Sequence, residues 1–140
     1  MKTIENRNDI SILVNKFYAK IRKNELLGPI FTAHIAKDEW APHLSKLTDF
    51  WEMRLFGINN FKGNPSEAHK GVDKSLKHSI DETHFNQWLE LWFETIDEMY
   101  EGELADRAKA AASKMAKGQL KTIRYHRPGG KPKGPNIYQI

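Results

Sequence analysis

Apolar residues at steps of three and four run through most of this chain, and nowhere do they alternate as a half-buried strand requires. One run is Ile10, Leu13, Val14, Phe17, Tyr18 and Ile21; a second is Trp40, His43, Leu44, Leu47, Phe50, Trp51 and Leu55. A third comprises Phe85, Trp88, Leu89, Trp92, Ile96, Met99 and Tyr100, and a fourth Leu104, Ala108, Ala111, Ala112, Met115, Leu120 and Ile123. Each run gives one wide apolar stripe on a helix, so each helix must bury that stripe against another. With no strand pattern and no internal repeat, the fold class is all-α. The 140 residues are enough for one substantial core.

Helix ends are marked by side chains that satisfy free backbone groups. Asp9 is a suitable N-cap for the first helix. Leu27-Gly28-Pro29 closes it, Gly28 being free to take positive φ and Pro29 able to start a short turn through Ile30-Phe31. Asp38 is placed to cap the second helix, and Pro42 must then fall in its first turn, because an interior proline would break it. Gly57 ends that helix. Ser79 and Glu82 form an S-x-x-E capping box for the third, which ends near Gly102, and the fourth covers about 103–123. Residues 57–80 have no period and contain Gly57, Gly63, Pro65 and Gly71. A loop that long inside a compact domain is often functional. The expected organisation is a helical domain over 1–123 followed by a basic, Pro/Gly-rich tail over 124–140, expected to be mobile or loosely docked.

The net charge of +4 is a property of the tail rather than the body. Residues 124–140 carry Arg124, Arg127, Lys131 and Lys133 and no acid; removing those four from 22 basic residues leaves 18 against 18 acids. A nucleic-acid-binding fold would carry a basic face on its ordered body, so no nucleic-acid partner is expected. There are no cysteines, hence no disulfides and no thiolate metal sites. No apolar run reaches the roughly 18 to 20 residues of a membrane span, and the start MKTIENRND is unlike a signal peptide. A cytoplasmic monomer is the default expectation.

Six histidines are present, at 34, 43, 69, 78, 84 and 126, but none is paired at i, i+4 around an acid as in a zinc hydrolase. Nucleophile elbows and phosphate-binding glycine loops are absent too. One kind of site needs only a single protein ligand: haem iron, to which the porphyrin supplies four nitrogens and the protein one imidazole. The rest is an apolar slot with a few polar groups on the far side. Phe17, Phe31, Leu47, Phe50, Trp51, Trp88 and Trp92 could line such a slot, although periodicity alone favours reading them as an aromatic core.

Five pieces in order carry a more specific likeness: FY at 17–18, LGPIF at 27–31, EWAPHLSKLTDFW at 39–51, GNPSEAH at 63–69 and HFNQWLELWFETIDEMYEGELADRAKAAA at 84–112. Across roughly residues 9–123 the chain resembles the truncated haemoglobins, and within them group III. The resemblance implies a two-over-two helical sandwich holding haem b, with His69 as proximal iron ligand and His78 as the alternative if the loop register shifts. It implies that Tyr18, His43 and Trp88 face the distal ligand, His43 at the pocket entrance. Phe31 and Leu47 would then wall the porphyrin, with Phe17, Phe50 and Trp51 completing the slot and Lys46 and Arg54 within reach of the propionates. His84 is expected at the surface.

Tyr O–H and Trp N–H are donors suited to the partly negative outer atom of a bound diatomic. The implied function is reversible binding of O2, NO or CO at ferrous iron, or peroxide, for redox chemistry (NO dioxygenation or a peroxidase-like reaction) served by an unidentified reductase. An oxygen carrier or ligand sensor is the alternative within the family, and a haem-free α-helical partner-binding module the alternative outside it. Replacing His69 with Gly is expected to abolish stable haem binding, with added imidazole restoring the absorption spectrum. Retention of an unchanged spectrum without imidazole would exclude His69 as the ligand.

Overall fold

The computed structural model describes residues 1–60 and 81–125, with side chains through Lys121. His69, Gly63, Pro65 and His78, and residues 126–140 of the tail, lie outside the described residues. Among those described there are five α-helices: α1 (Arg7–Lys23), α2 (Gly28–His34), α3 (Trp40–Phe56), α4 (Glu82–Met99) and α5 (Glu103–Tyr125). Helix α5 runs two residues past the boundary expected at 123. Helix α1 packs against α2, α3 and α4, while α5 packs against α3 and α4. The four long helices thus form two pairs, α1 with α3 and α4 with α5, joined through the α1–α4 and α3–α5 contacts.

The periodic stripes form the shared core. Ile10, Leu13, Val14, Phe17 and Ile21 of α1 meet Phe50, Trp51 and Leu55 of α3 and Trp92 and Ile96 of α4, all buried. On α5, Ala105, Ala108, Ala111, Ala112 and Ala116 are buried, small side chains that let its backbone come close to its neighbours. Trp92 spans that contact, its indole N–H donating to the Ala108 carbonyl at 3.2 Å.

Four expected helix ends are set differently. Asn6, not Asp9, caps α1: its side-chain oxygen accepts from the Asp9 N–H at 3.0 Å. The Asp9 carboxylate has other partners, Lys2 Nζ at 2.6 Å and the Glu5 N–H at 2.9 Å, and is 1 % exposed. Tyr100 donates its hydroxyl to the Asp9 carbonyl at 2.8 Å, and the Glu101 N–H donates to the Lys2 carbonyl at 3.0 Å. The segment before α1 is thereby fastened to the α4–α5 junction, which is why an acid there is more than a cap.

The α1–α2 corner is turned by Asn24, whose side chain accepts from the N–H groups of Leu26 and Leu27. Gly28 does not take positive φ; it opens α2 where a Cβ would lie 2.7 Å from the Arg22 carbonyl oxygen, so close approach is the constraint there. Asp38 lies within a 3-10 turn, Lys37–Glu39, that leads into α3, and Glu39 stands at the cap position without a side-chain bond. Pro42 is in the first turn of α3, and Gly57 closes that helix at φ 73, as expected. Helix α4 is capped by Asp81, which accepts from the Thr83 N–H while donating its own N–H to His84 Nδ1 at 3.1 Å. His84 is thus part of a reciprocal cap rather than a free surface group.

Asp9 joins the N-terminal segment, α1 and the α4–α5 junction. The bond from Lys2 and then the Glu5 N–H hold its carboxyl below the ordinary 3.8, against the opposing effect of burial. A lowered folded-state value stabilises fully above 3.8, and the contribution is lost as pH falls through the folded value. Asp9→Ala is expected to cost about 2 kcal/mol at pH 7 by leaving part-buried donors unpaired. Denaturant unfolding at a series of pH values checks both points: the variant should lose less stability than the parent below pH 4 or so.

Candidate functional site

Four helices each contribute one ring or more to a single cluster centred on Tyr18. The α1 period buries Phe17 and Tyr18 in succession on the same side of the helix, with ring centroids 4.8 Å apart and nearly perpendicular. Around Tyr18 stand Phe31 of α2 at 5.8 Å, and Trp40 and His43 of α3 at 6.1 and 5.8 Å. Phe17 links this cluster to α4, meeting Trp88 at 5.5 Å and Trp92 at 4.9 Å, both edge-on.

The Tyr18 hydroxyl is out of water. Burial raises its pKa to about 12, a hydrogen bond with the Trp88 side chain pulling partly the other way. Trp88 can only donate, so its influence on the phenol is that of an N–H donor and leaves the phenol proton available for a further acceptor. At any physiological pH Tyr18 is therefore a neutral donor.

His43 is half-buried, and its Nε2 is shielded from solvent without a hydrogen-bond partner among the described residues. Burial first, and the Lys46 charge second, lower its pKa from 6.5. A buried polar nitrogen without a partner is costly and uncommon, and marks a place where another group is accommodated. Beside it, Trp40 is 5 % exposed, edge-on to the imidazole at 5.7 Å, and carries the Arg22 guanidinium 4.6 Å over its ring. Trp40 is the site residue that periodicity left undistinguished within the α3 stripe. Its spacing of three from His43 was the available signal, since i, i+3 residues share a helix face.

The remaining expected site residues divide by depth. Phe17, Phe50 and Trp51 are core residues, 1 %, 2 % and 4 % exposed. Trp51 stacks on Trp92 at 4.7 Å, and Phe50 meets Trp51 at 5.4 Å. Phe31, Leu47 and Trp88 are partly buried against that core, with Phe31 and Trp88 close to Tyr18. Lys46 and Arg54 are exposed on α3. Of these two, Lys46 bears on the cluster, through its charge on His43.

Two helix pairs enclose an aromatic cluster, which is the arrangement of a two-over-two helical sandwich. A crystal structure of group III truncated hemoglobin from Campylobacter jejuni superposes with a TM-score of 0.79 at 27% identity, covering 91% of this chain and 99% of that one. A curated relative, the group 3 truncated hemoglobin ctb of Campylobacter jejuni subsp. jejuni, is 32% identical over 114 residues, 77% of this chain and 86% of the relative. No protein-family model matches the chain. The chain belongs to the group 3 truncated haemoglobins. Membership implies a haem cofactor and small ligands, and the unpartnered His43 Nε2 beside a dry phenol donor fits such a group. No helix among the described residues is long and apolar enough to cross a membrane.

The lowered His43 value has a sign that can be tested. Between its folded value and 6.5 the unfolded chain binds the extra proton, so stability falls as pH drops through that window. NMR titration of the histidine ring protons should place His43 below 6.5, and Lys46→Gln should move it upward. A His43 midpoint at or above 6.5 would contradict the burial described.

Proposed function

We infer that this chain is a haem b globin that holds a small ligand tightly and serves O2, NO or peroxide redox chemistry rather than bulk oxygen delivery. His69 is assigned as proximal ligand, with Phe31 and Leu47 against the porphyrin and Lys46 and Arg54 toward its propionates. The haem, when bound, would supply a redox-active iron able to take up small diatomic molecules.

The rest is the work of this chain's side chains, and the observation that carries the reading is the state of Tyr18. A phenol that burial keeps protonated to about 12, with the Trp88 indole beside it, is a donor that keeps its own proton available. In a dry, low-dielectric setting such a bond counts for more than it would in water. His43, held neutral, can donate or accept at Nε2, and its half-buried position lets it exclude water without bringing a charge into the site. Each donor satisfied by a ligand atom contributes about 1 kcal/mol. Two together slow release by about one to two orders of magnitude. Slow release suits conversion of a ligand better than its delivery. A reductase that returns the iron to the ferrous state is the partner this role requires, and a cytoplasmic setting suits it.

The purified protein should show a Soret band that shifts on adding CO; a colourless protein that takes up no haem would overturn the assignment. In the haem-loaded protein, Tyr18→Phe should raise the O2 dissociation rate about fivefold to tenfold, the loss of one donor. An unchanged rate by stopped flow would remove Tyr18 from the role given to it.

A further inference from the structure

Three of the four tryptophans form one continuous stack. Trp88 lies over Trp92 with centroids 6.3 Å apart and planes 9° from parallel, and Trp92 lies over Trp51 at 4.7 Å and 22°. Around the stack, Phe17, Tyr18, Phe31, Trp40, His43 and Phe50 make ring contacts that are edge-on or tilted. Offset stacking and edge-on packing are both ordinary ways to fill a core. Their chemical consequences differ, because parallel π-systems in contact overlap and share a missing electron. The stack starts at the ring bonded to Tyr18, crosses from α4 to α3, and ends at Trp51, which is 4 % exposed.

We propose that Trp88, Trp92 and Trp51 form an electron relay that supplies reducing equivalents one at a time to the distal side of the pocket. This rests on the haem assignment above. Hydrogen peroxide is the oxidant: its O–O bond breaks, and two electrons and two protons convert it to two waters. Two molecules of a phenol-class donor each give one electron and one proton, becoming phenoxyl radicals, so the overall exchange balances. Within the stack only the electron moves. The Trp92 N–H is bonded to a backbone carbonyl, which takes no proton from an oxidised indole. The Trp88 N–H faces a phenol oxygen that is no base either. Both rings therefore pass through an oxidised, still protonated state that hands the vacancy on instead of trapping it. Tyr18 is unsuited to the same task, because oxidation of a phenol is coupled to loss of its proton and would trap the vacancy there as a neutral radical. With the chain lacking cysteine, these indoles are among its most readily oxidised side chains.

The test uses the full haem-loaded chain, its loading established by the Soret band so that failure of the cofactor assignment is seen separately. Hydrogen peroxide is added to the ferric protein without a phenol, and samples are freeze-quenched for electron paramagnetic resonance and digested for mass spectrometry. A tryptophan radical is expected, identified by narrowing of its signal with ring-deuterated tryptophan, together with an oxidised peptide containing Trp51. Trp92→Phe should lose the Trp51 product and confine oxidation to Trp88. Trp51→Phe gives a second route if the first variant does not fold, and should alter the radical signal by returning it to Trp88 and Trp92. Loaded protein in which oxidation is confined to exposed tyrosines or methionines, Trp51 oxidation that survives Trp92→Phe, or a signal indifferent to Trp51→Phe would each overturn the relay.

Discussion

The structure depends on keeping one phenol hydroxyl dry at the place where four helices meet. Tyr18 is surrounded by Phe17, Phe31, Trp40 and His43, and the Trp88 indole acts on its hydroxyl from α4. A polar group can stay in such a place only if it is bonded, and the bond it receives leaves its own proton unassigned. The same burial that fills the core therefore leaves a donor ready for a small ligand. Trp40 and its Arg22 cover, the neutral state of His43 and the stacked tryptophans all border that enclosure. Packing and chemistry share residues throughout this half of the molecule.

Polar contacts at the periphery serve a different end. Lys20 with Glu94 and Glu98 ties α1 to α4, Lys109 pairs with Asp97 across the α4–α5 junction, and Arg7 reaches Asp49 and Glu52 of α3. Apart from that to the buried Glu52, these are exposed pairs that contribute little each. The Asp9 assembly is different, because its part-buried carboxylate takes Lys2 and the Glu5 N–H while its carbonyl takes the Tyr100 hydroxyl from the α4–α5 junction. It sets the position of α1 relative to the α4–α5 junction, and Tyr18 and Trp88 lie on the two helices so related.

Sequence signals read well where a single helix decides the outcome. The stripes of α1, α3, α4 and α5, the place of Pro42 and the terminating Gly57 follow from period and backbone sterics alone. Caps were less legible, since several polar residues near a helix start can each serve. Asn6 displaces Asp9 because Lys2 and Glu5 already engage the acid, and Asp81 with His84 caps α4 where Ser79 and Glu82 had seemed the pair. Trp40 went unrecognised as a site residue because a stripe of apolar side chains does not say which members face a neighbour's ring. Its tie to Arg22 crosses from α1 to α3, a contact that exists only once both helices are docked.

The sequence by itself determined an all-helical chain, a neutral body with a basic tail, and an ordered set of motifs sufficient to name a family. Those properties reside in local periodicity and in residue order, which survive without any knowledge of docking. Tertiary structure decided the protonation and partnership of the groups within the site. Burial holds the Tyr18 proton, leaves His43 Nε2 without a partner among the described residues and lays Trp88, Trp92 and Trp51 nearly parallel. The reason is that desolvation and ring overlap depend on what neighbouring helices bring to within a few ångströms, and spacing along one helix does not contain that information.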